Sequence, residues 1–314
     1  MATYNTDLHR TGPGVMLRDI LRKDPQPMAV AKQIADAAPD IILLQNIDYD
    51  SQNHGLSALR DLINNQGGPS YPHLFAPRPN TGIPTGIDID GDGISNGPRD
   101  GHGYGTFPGQ RGIAILSQHP IATIGVQSFS NILWQNAAAA APDVIPAPEM
   151  LSIDARDTFR LSSTAHVAIP FSINGSLLTI LTHHATPPMF DGPEDRNGFR
   201  NAAENLFWLT YLNGTFTEAL PQSYILAALT NIDPNKGQGH RSAMQSILRS
   251  QQFRDPLVTV PPTNRVTVQW NETQSSSMRV SYLLPSPNIT VKATGNRPMP
   301  SASRHHLIWI DIDF

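Results

Sequence analysis

The chain has 314 residues, of which 39% are hydrophobic and only 15% are charged, with a net charge of −4 and no cysteine. The length supports one large α/β domain or two small ones, and the lack of cysteine excludes disulfides and thiolate metal sites. The acidic balance offers no overall basic field, so nucleic acid is not an expected partner. No apolar run reaches the roughly 18 residues that a membrane span needs.

Helical and strand-like patterns alternate along the chain. Apolar spacing predicts helices at 15–22, 27–38, 55–66, 198–212 and 240–250. Short apolar or alternating runs predict strands at 2–5, 40–45, 112–117, 121–129, 160–171, 177–183, 223–229, 265–270, 278–284, 289–293 and 306–312. Because there is no repeat and no flexible linker, we expect a single domain over residues 1–314.

Two stretches interrupt the alternation. Residues 69–110 are rich in Gly, Pro, Asn and Asp and predict a long loop, which is usually functional inside a compact domain. Residues 137–148 begin with five consecutive alanines and include three prolines. Their low complexity predicts an excursion on the surface.

The long loop contains the sequence Asp-Ile-Asp-Gly-Asp-Gly-Ile at 88–94, which matches the start of a calcium-binding loop. Acids at the first, third and fifth positions converge on one ion, and the second glycine permits the sharp turn. The twelfth position is Arg99 instead of Glu, so Asp100 or a distant carboxylate must complete the shell. The expected ligands of a structural Ca²⁺ are Asp88, Asp90, Asp92, Ile94, Asn96 and Asp100. The alternative is an acidic turn without metal.

A series of short segments forms a second pattern. They are ATYNTDL at 2–8, PDIILLQN at 39–46, GIAILS at 112–117, THH at 182–184, ALTNIDP at 228–234, RVSYLLPS at 279–286 and SRHHL at 303–307. In this order they resemble the motifs of the endonuclease/exonuclease/phosphatase superfamily of DNase-I-like enzymes. The resemblance implies a four-layer αββα sandwich, in which two mixed β-sheets are flanked by helices.

The loop at 186–198 resembles one found in a bacterial branch of exported members. We therefore expect export to the periplasm, the cell surface or the medium, with the signal peptide missing from this sequence.

Four family positions lack the carboxylate that the resemblance implies. In active members a Glu binds Mg²⁺ or Mn²⁺, one Asp activates water and another supports the terminal His. Here the acid positions are Asn46, Leu229, Ser281 and Arg304. Since hard cations need carboxylate ligands and metal-assisted hydrolysis needs the cation, we expect no catalytic Mg²⁺ or Mn²⁺. The accessory family positions that remain are Asn5, His184, Asn231 and His305.

A shifted alignment is the simplest alternative to this loss. Asp48 or Asp50 would then replace the missing Glu, and Asp233 the missing Asp. A shift of two residues along a strand moves a side chain by ~6.6 Å, which is too far for a direct metal ligand.

The resulting prediction is a catalytically degenerate protein that acts as a binding, structural or assembly subunit, with a protein partner or a second copy of itself. The first alternative is a divalent-metal-dependent phosphodiesterase, phosphatase or nuclease with a rearranged site. The second is a protein that binds a transition metal or small molecule through His184 and His305, each of which would face the cleft while its neighbour in the His pair points away.

Overall fold

The computed structural model describes residues 1–270 and 277–314. The helices are α1 Val15–Leu21, α2 Pro25–Ala37, α3 His54–Asn65, α4 Trp134–Ala140, α5 Ile153–Arg156, α6 Arg196–Leu212 and α7 Arg241–Arg249. The strands are β1 Ala2–Asn5, β2 Ile41–Ile47, β3 His73–Phe75, β4 Gly112–Ser117, β5 Gln127–Ser128, β6 His166–Ile173, β7 Ser176–His184, β8 Tyr224–Leu229, β9 Val268–Gln269, β10 Ser277–Met278, β11 Ser281–Pro285, β12 Thr290–Met299 and β13 Ser303–Asp313. In the part of the chain so described, no helix is both long and apolar enough to cross a bilayer.

The strands form two mixed sheets. The first has the order β10-β9-β13-β1-β2-β4-β3, with β12 beside β13, and the second has the order β11-β8-β7-β6-β5. The pairs β1–β2 and β7–β8 are parallel, whereas their other neighbours are antiparallel. The predicted α/β class, with two mixed sheets and flanking helices, is confirmed.

Three apolar layers hold the four structural layers together. Between the sheets, Leu43 and Ile115 of the first sheet share a cluster with Val167 and Ile225 of the second. A second cluster joins α1, α2 and α3 to the outer face of the first sheet. A third joins α4, α6 and α7 to the outer face of the second. Strands that are buried on both faces account for the continuous apolar runs in the sequence.

Local chemistry sets the boundaries of α2. The helix begins at Pro25, whose fixed φ suits a first helical turn and whose missing N–H is not needed there. It ends where Ala38, the residue before Pro39, adopts a left-handed φ of 46°.

Three predicted strands are shorter in the structure, and the strand predicted at 278–284 is divided between β10 and β11. The segment 121–129 forms a 3₁₀ turn and then only the two-residue strand β5, which pairs with β6 at the edge of its sheet. Similarly, 265–270 contributes only the two residues of β9. The strand predicted at 160–171 begins at His166, because the backbone groups of Ser162 and Ser163 bond to the side chains of Asn80 and Glu204 instead of to a strand.

The prediction of a surface excursion at 137–148 is wrong in part. The first four alanines, residues 137–140, belong to α4, where Ala137 and Ala138 are buried, and Ile145 is also buried. The indole Nε1 of Trp134, the first residue of α4, donates to the carbonyl of Pro146 at 2.8 Å. This bond ties the proline-containing end of the segment to the helix. Small side chains let this helix pack closely on the core, so low complexity here reflects close packing.

Helix α6 carries a buried polar face that joins several loops. The Glu204 carboxylate accepts hydrogen bonds from the backbone N–H groups of Ser163 and Thr186. The Asn201 side-chain nitrogen donates to the carbonyl of Thr186 at 2.7 Å and to that of Thr230 at 2.8 Å. Since Thr186 lies beyond β7 and Thr230 directly follows β8, α6 fixes the chain where these two strands end.

His166 and His183 form a stacked pair in the core, with ring centroids 4.8 Å apart. Trp208 Nε1 donates to His183 Nδ1 at 3.1 Å, so the ring proton lies on Nε2, which faces Asn205 Oδ1 at 3.0 Å. Burial lowers the pKa of His183 to about 4. Burial and the neighbouring imidazole also hold the pKa of His166 well below its ordinary value.

We expect His183→Gln to reduce the acid sensitivity of folding. The folded pKa of His183 lies below the unfolded value, so the unfolded chain binds the proton first and stability falls as the pH drops from about 6.5 to about 4. Removing the imidazole lessens the slope by up to about 1.4 kcal/mol per pH unit, measured by urea unfolding across this range. An unchanged slope would show that His183 takes up its proton in the folded state.

Candidate functional site

The residues at the family positions meet at one edge of the two sheets. They are Asn5, Asn46, His184, Leu229, Asn231, Ser281, Arg304 and His305. Strands β1, β7 and β8 end at this edge, β2 has its penultimate residue there, and the antiparallel β11 and β13 begin there. The topology therefore gathers segments from both halves of the chain.

Asp7 is a site residue that the sequence interpretation missed. Asn46 Nδ2 donates to Asp7 Oδ1 at 3.0 Å, and Ser303 Oγ donates to Asp7 Oδ2 at 3.1 Å. The guanidinium of Arg304 lies 3.6 Å from the same Oδ2. The sequence did contain a signal for Asp7: it lies two residues after the end of β1, and that position borders the sheet edge where the site forms.

The charges around Asp7 favour its ionised form. Burial acts to raise its pKa, but His305, Arg304 and the hydroxyl of Ser303 outweigh burial and lower the pKa below its ordinary value. Asp7 adopts a left-handed φ of 50°, a conformation that Asp tolerates better than most residues. Its carboxylate is thus held in the site as an anion.

Arg304 lies between an acid and an aromatic ring. Its guanidinium stands 5.3 Å from the centroid of the Trp270 ring. Trp270 in turn meets the imidazole of His305 edge to face, with 5.3 Å between ring centroids. The cation is therefore placed by Asp7 on one side and by Trp270 on the other.

His184 and His305 are both buried and uncharged. Burial, followed by the proximity of His305, lowers the pKa of His184 to about 3. Burial lowers the pKa of His305 to about 4, against the opposing effect of Asp7. The Nδ1 atoms of both rings are without a hydrogen-bond partner in the described part of the chain. His183, which precedes His184 on β7, points into the core, as the alternation of strand side chains predicts.

Leu229 lies in a small apolar cluster. It packs with Val268 and Val280, all three at most 1% exposed, and with the half-buried Met278. Ser281 pairs with Leu229 across β11 and β8 and is itself 1% exposed. The position where the resemblance implies a water-activating Asp is thus filled with hydrocarbon.

The two family asparagines hold local turns. Asn5 Oδ1 accepts from the backbone N–H of Asp7 at 3.2 Å. Asn231, with a φ of 53°, donates from Nδ2 to the carbonyl of Ala185 at 2.7 Å. Both side-chain amides hold the backbone just beyond the strand ends, at the edge of the sheets.

The carboxylates named by the shifted alignment bind backbone groups. Asp48 accepts from the N–H groups of Arg10 and Arg111, and burial raises its pKa to about 6. Asp50 accepts from the first turn of α3. Asp233 accepts from the N–H of Arg279 at 2.7 Å. Each therefore anchors a loop.

The acidic loop brings together a subset of the expected ligands. Oxygen atoms of Asp88, Asp90 and Asp100 lie within 4.8 Å of one another. Asp92 is exposed and its Oδ1 accepts from the N–H of Ile94 at 2.8 Å, so it is not part of this group. The side chains of Ile94 and Asn96 are also exposed. Asp100 is buried at 1% exposure, which makes it the anchor of the group.

Solved structures resemble the chain over 93% or more of its length. It resembles a structure from Beutenbergia cavernae with a TM-score of 0.63 and 17% identity, covering 99% of this chain and 70% of the other. For a Leptotrichia buccalis family protein the TM-score is 0.56 and the identity 16%, covering 100% and 98%. For the human Nocturnin catalytic domain the values are 0.55 and 14%, covering 93% and 87%. No curated protein sequence matches the chain.

The solved structures share the fold, at identities too low to transfer an activity. The model of the Endonuclease/Exonuclease/phosphatase family matches residues 2–305, which is nearly the whole chain. The chain therefore belongs to the endonuclease/exonuclease/phosphatase family.

Proposed function

We propose that this protein is a non-catalytic member of its family, whose fold serves binding or assembly. The observation that carries the proposal is the apolar packing of Leu229 against Val268 and Val280. A water-activating group needs a proton-accepting oxygen or nitrogen that reaches solvent or substrate, and a buried Leu in a hydrocarbon cluster supplies neither. Rebuilding a carboxylate there would require the cluster to open.

The pairing of Asp7 supports the same proposal. Its carboxylate is already compensated by the Arg304 guanidinium at 3.6 Å and by the Asn46 amide at 3.0 Å. A divalent cation entering here would meet the positive charge of the exposed Arg304 side chain beside an acid that is already paired. A cation supplied by the chain itself thus takes over part of the electrostatic role that the family assigns to a metal.

The second candidate is a metal-dependent phosphodiesterase, phosphatase or nuclease with a rearranged site. Asp7 favours it, because an ionised carboxylate lies close enough to His305 to shift its pKa. A related candidate is a transition-metal or small-molecule site at His184 and His305, whose Nδ1 atoms make no hydrogen bond within residues 1–270 and 277–314.

The non-catalytic proposal also states what the protein binds and where it is located. A protein partner or a second copy of the chain would use the fold as a scaffold. The absence of cysteine is compatible with an exported protein, and export remains part of the proposal.

We also propose that a structural Ca²⁺ binds the acidic loop. Asp88 and Asp90 come from the loop itself, and the buried Asp100 joins them from its far end. Three carboxylate groups suit a hard cation and would tie down a loop that is otherwise rich in turns.

We expect no hydrolysis above background by the wild-type protein. The assay uses bis(4-nitrophenyl) phosphate, 4-nitrophenyl phosphate and plasmid DNA, each with Mg²⁺, Mn²⁺ or Ca²⁺. Turnover that disappears in His305→Ala would overturn the proposal in favour of a rearranged active site. Turnover that survives in that variant and separates from the protein on further chromatography would come from a contaminating enzyme.

We expect Leu229→Asp to destabilise the fold by roughly 3 kcal/mol, because it places an ionisable group among buried side chains. Leu229→Met is the matched control and should cost under about 1.5 kcal/mol, since it conserves volume and polarity. Chemical denaturation measures both. An Asp variant as stable as the parent would mean that the position is hydrated and not filled by the apolar cluster around Leu229.

We expect Ca²⁺ at about 1 mM to raise the melting temperature by several degrees through binding to the folded state. Asp90→Asn should remove most of the shift, whereas Asp92→Asn should keep it, because Asp92 lies outside the carboxylate group. Thermal melts with and without chelator measure the effect. The absence of a shift in the wild type up to about 10 mM Ca²⁺ would refute this site.

A further inference from the structure

A cleft lies beside the family site, between the loop before β4 and the start of α6. It has a volume of about 330 Å³ and four arginines line it. They are Arg99, Arg111, Arg196 and Arg200. The volume falls in the range of pockets that bind small organic ligands.

Three of the four arginines of the cleft form no ion pair with an acid within the described residues. In the described part of the chain, no carboxylate lies within ion-pair distance of Arg111, Arg196 or Arg200, and only Arg99 approaches one, Asp90, at 4.0 Å. Arg196 and Arg200 are 8% and 4% exposed. Buried cations without a counter-ion are costly, so an anion in the cleft would recover part of that cost.

Arg196 and Arg200 donate hydrogen bonds to neutral backbone carbonyls, so their positive charge can still act on a ligand. Arg196 Nη1 donates to the carbonyl of Ile89, and Arg200 Nε donates to that of Leu161, both at 2.9 Å. Carbonyls satisfy N–H groups without neutralising a cation. The Nε of Arg111 is buried and makes no hydrogen bond in the described part of the chain. Burial lowers the pKa of Arg200 to about 10, which still leaves it charged at neutral pH.

Burial lowers the pKa of Arg200 more than the charge of Glu204, one helical turn away, raises it, and the two side chains form no ion pair in the described part of the chain. Glu204 directs its oxygens to the N–H groups of Ser163 and Thr186, and burial raises its pKa. Glu204 therefore offsets the charge of Arg200 only in part, and Arg200 still lines the cleft as a cation.

Aromatic rings line the same cleft. Tyr104 and Phe190 are 51% and 71% exposed, and the buried Phe159 lies 4.2 Å below the guanidinium of Arg200. Phe190 adopts a left-handed φ of 72°, which is unfavourable for a bulky side chain. Ligand clamps are among the places where strained backbone is found, and here the strain accompanies an exposed ring in the cleft.

We propose that this cleft binds a small organic anion in which a phosphate or carboxylate group is joined to a planar ring. Guanidinium groups bind both anions in a bidentate manner, and Arg111 and Arg196 supply them. The exposed rings of Tyr104 and Phe190 provide faces for the planar part. The inference rests on the proposed function in one respect: it names the ligand class that a non-catalytic fold would hold.

Calorimetric titration with 4-methylumbelliferyl phosphate and with 2-naphthoate tests the two anionic groups separately. We expect at least one of them to bind with a Kd of about 1 mM or tighter. Uncharged 4-methylumbelliferone and ring-free inorganic phosphate should each bind at least about tenfold more weakly.

Variants locate the site. Arg111→Met and Arg196→Met should each weaken binding by about tenfold or more, whereas Arg60→Met on α3, outside the cleft, should leave it unchanged. Phe190→Gly should weaken binding without lowering the melting temperature, because it removes the ring and relieves the backbone. A purely structural Phe190 would not separate affinity from stability in this way.

Two outcomes overturn the inference: neither anionic probe binds at millimolar concentration, or Arg111→Met binds as tightly as the wild type. Fluorescence from released 4-methylumbelliferone reports hydrolysis in the same samples. Binding with hydrolysis would support the cleft and refute the non-catalytic proposal. Failure to bind without hydrolysis would refute the cleft and leave the non-catalytic proposal intact.

Discussion

The buried carboxylate of Glu204 is the constraint on which the arrangement of this molecule depends. It holds the backbone N–H groups of Ser163 and Thr186 to one helix, and neighbouring amides on α6 bind the residues that follow β7 and β8. Loops at a sheet edge normally lose order first, because few contacts hold them. Here a polar helix face substitutes for strand pairing, so the family site, the cleft and the 160–165 segment share one support.

The fold could be predicted from sequence because its strongest signals are periodic and local. Segments such as 41–44 are apolar throughout, which is what burial between two layers requires. The errors occur where tertiary bonding overrides local preference. Ser162 and Ser163 look like strand residues until Asn80 and Glu204 take their backbone partners. The alanines at 137–141 look like a surface tract, because composition alone does not reveal what packs on them.

The candidate site divides in the same way. Leu229 and Arg304 could be singled out from the sequence, since a hydrocarbon or a cation stands where the family motif has an acid. Asp7 was missed because its role depends on a loop conformation. The arginine cleft was invisible for a further reason: its members lie far apart in sequence, and a net charge of −4 averages their field away. Total charge excludes a basic protein but says nothing about a basic cavity.

Arg200 has a consequence for how the history of this chain can be traced. It lines the cleft, yet its nitrogens also bond to the carbonyls of Leu161, His102 and Arg160 inside the domain. Selection for folding alone would retain it, whatever became of a ligand. Within the described residues, no side-chain hydrogen bond of this kind ties Arg111 or Phe190 to the interior. In related chains, the joint retention or joint loss of these two residues is therefore the record of whether the cleft was used.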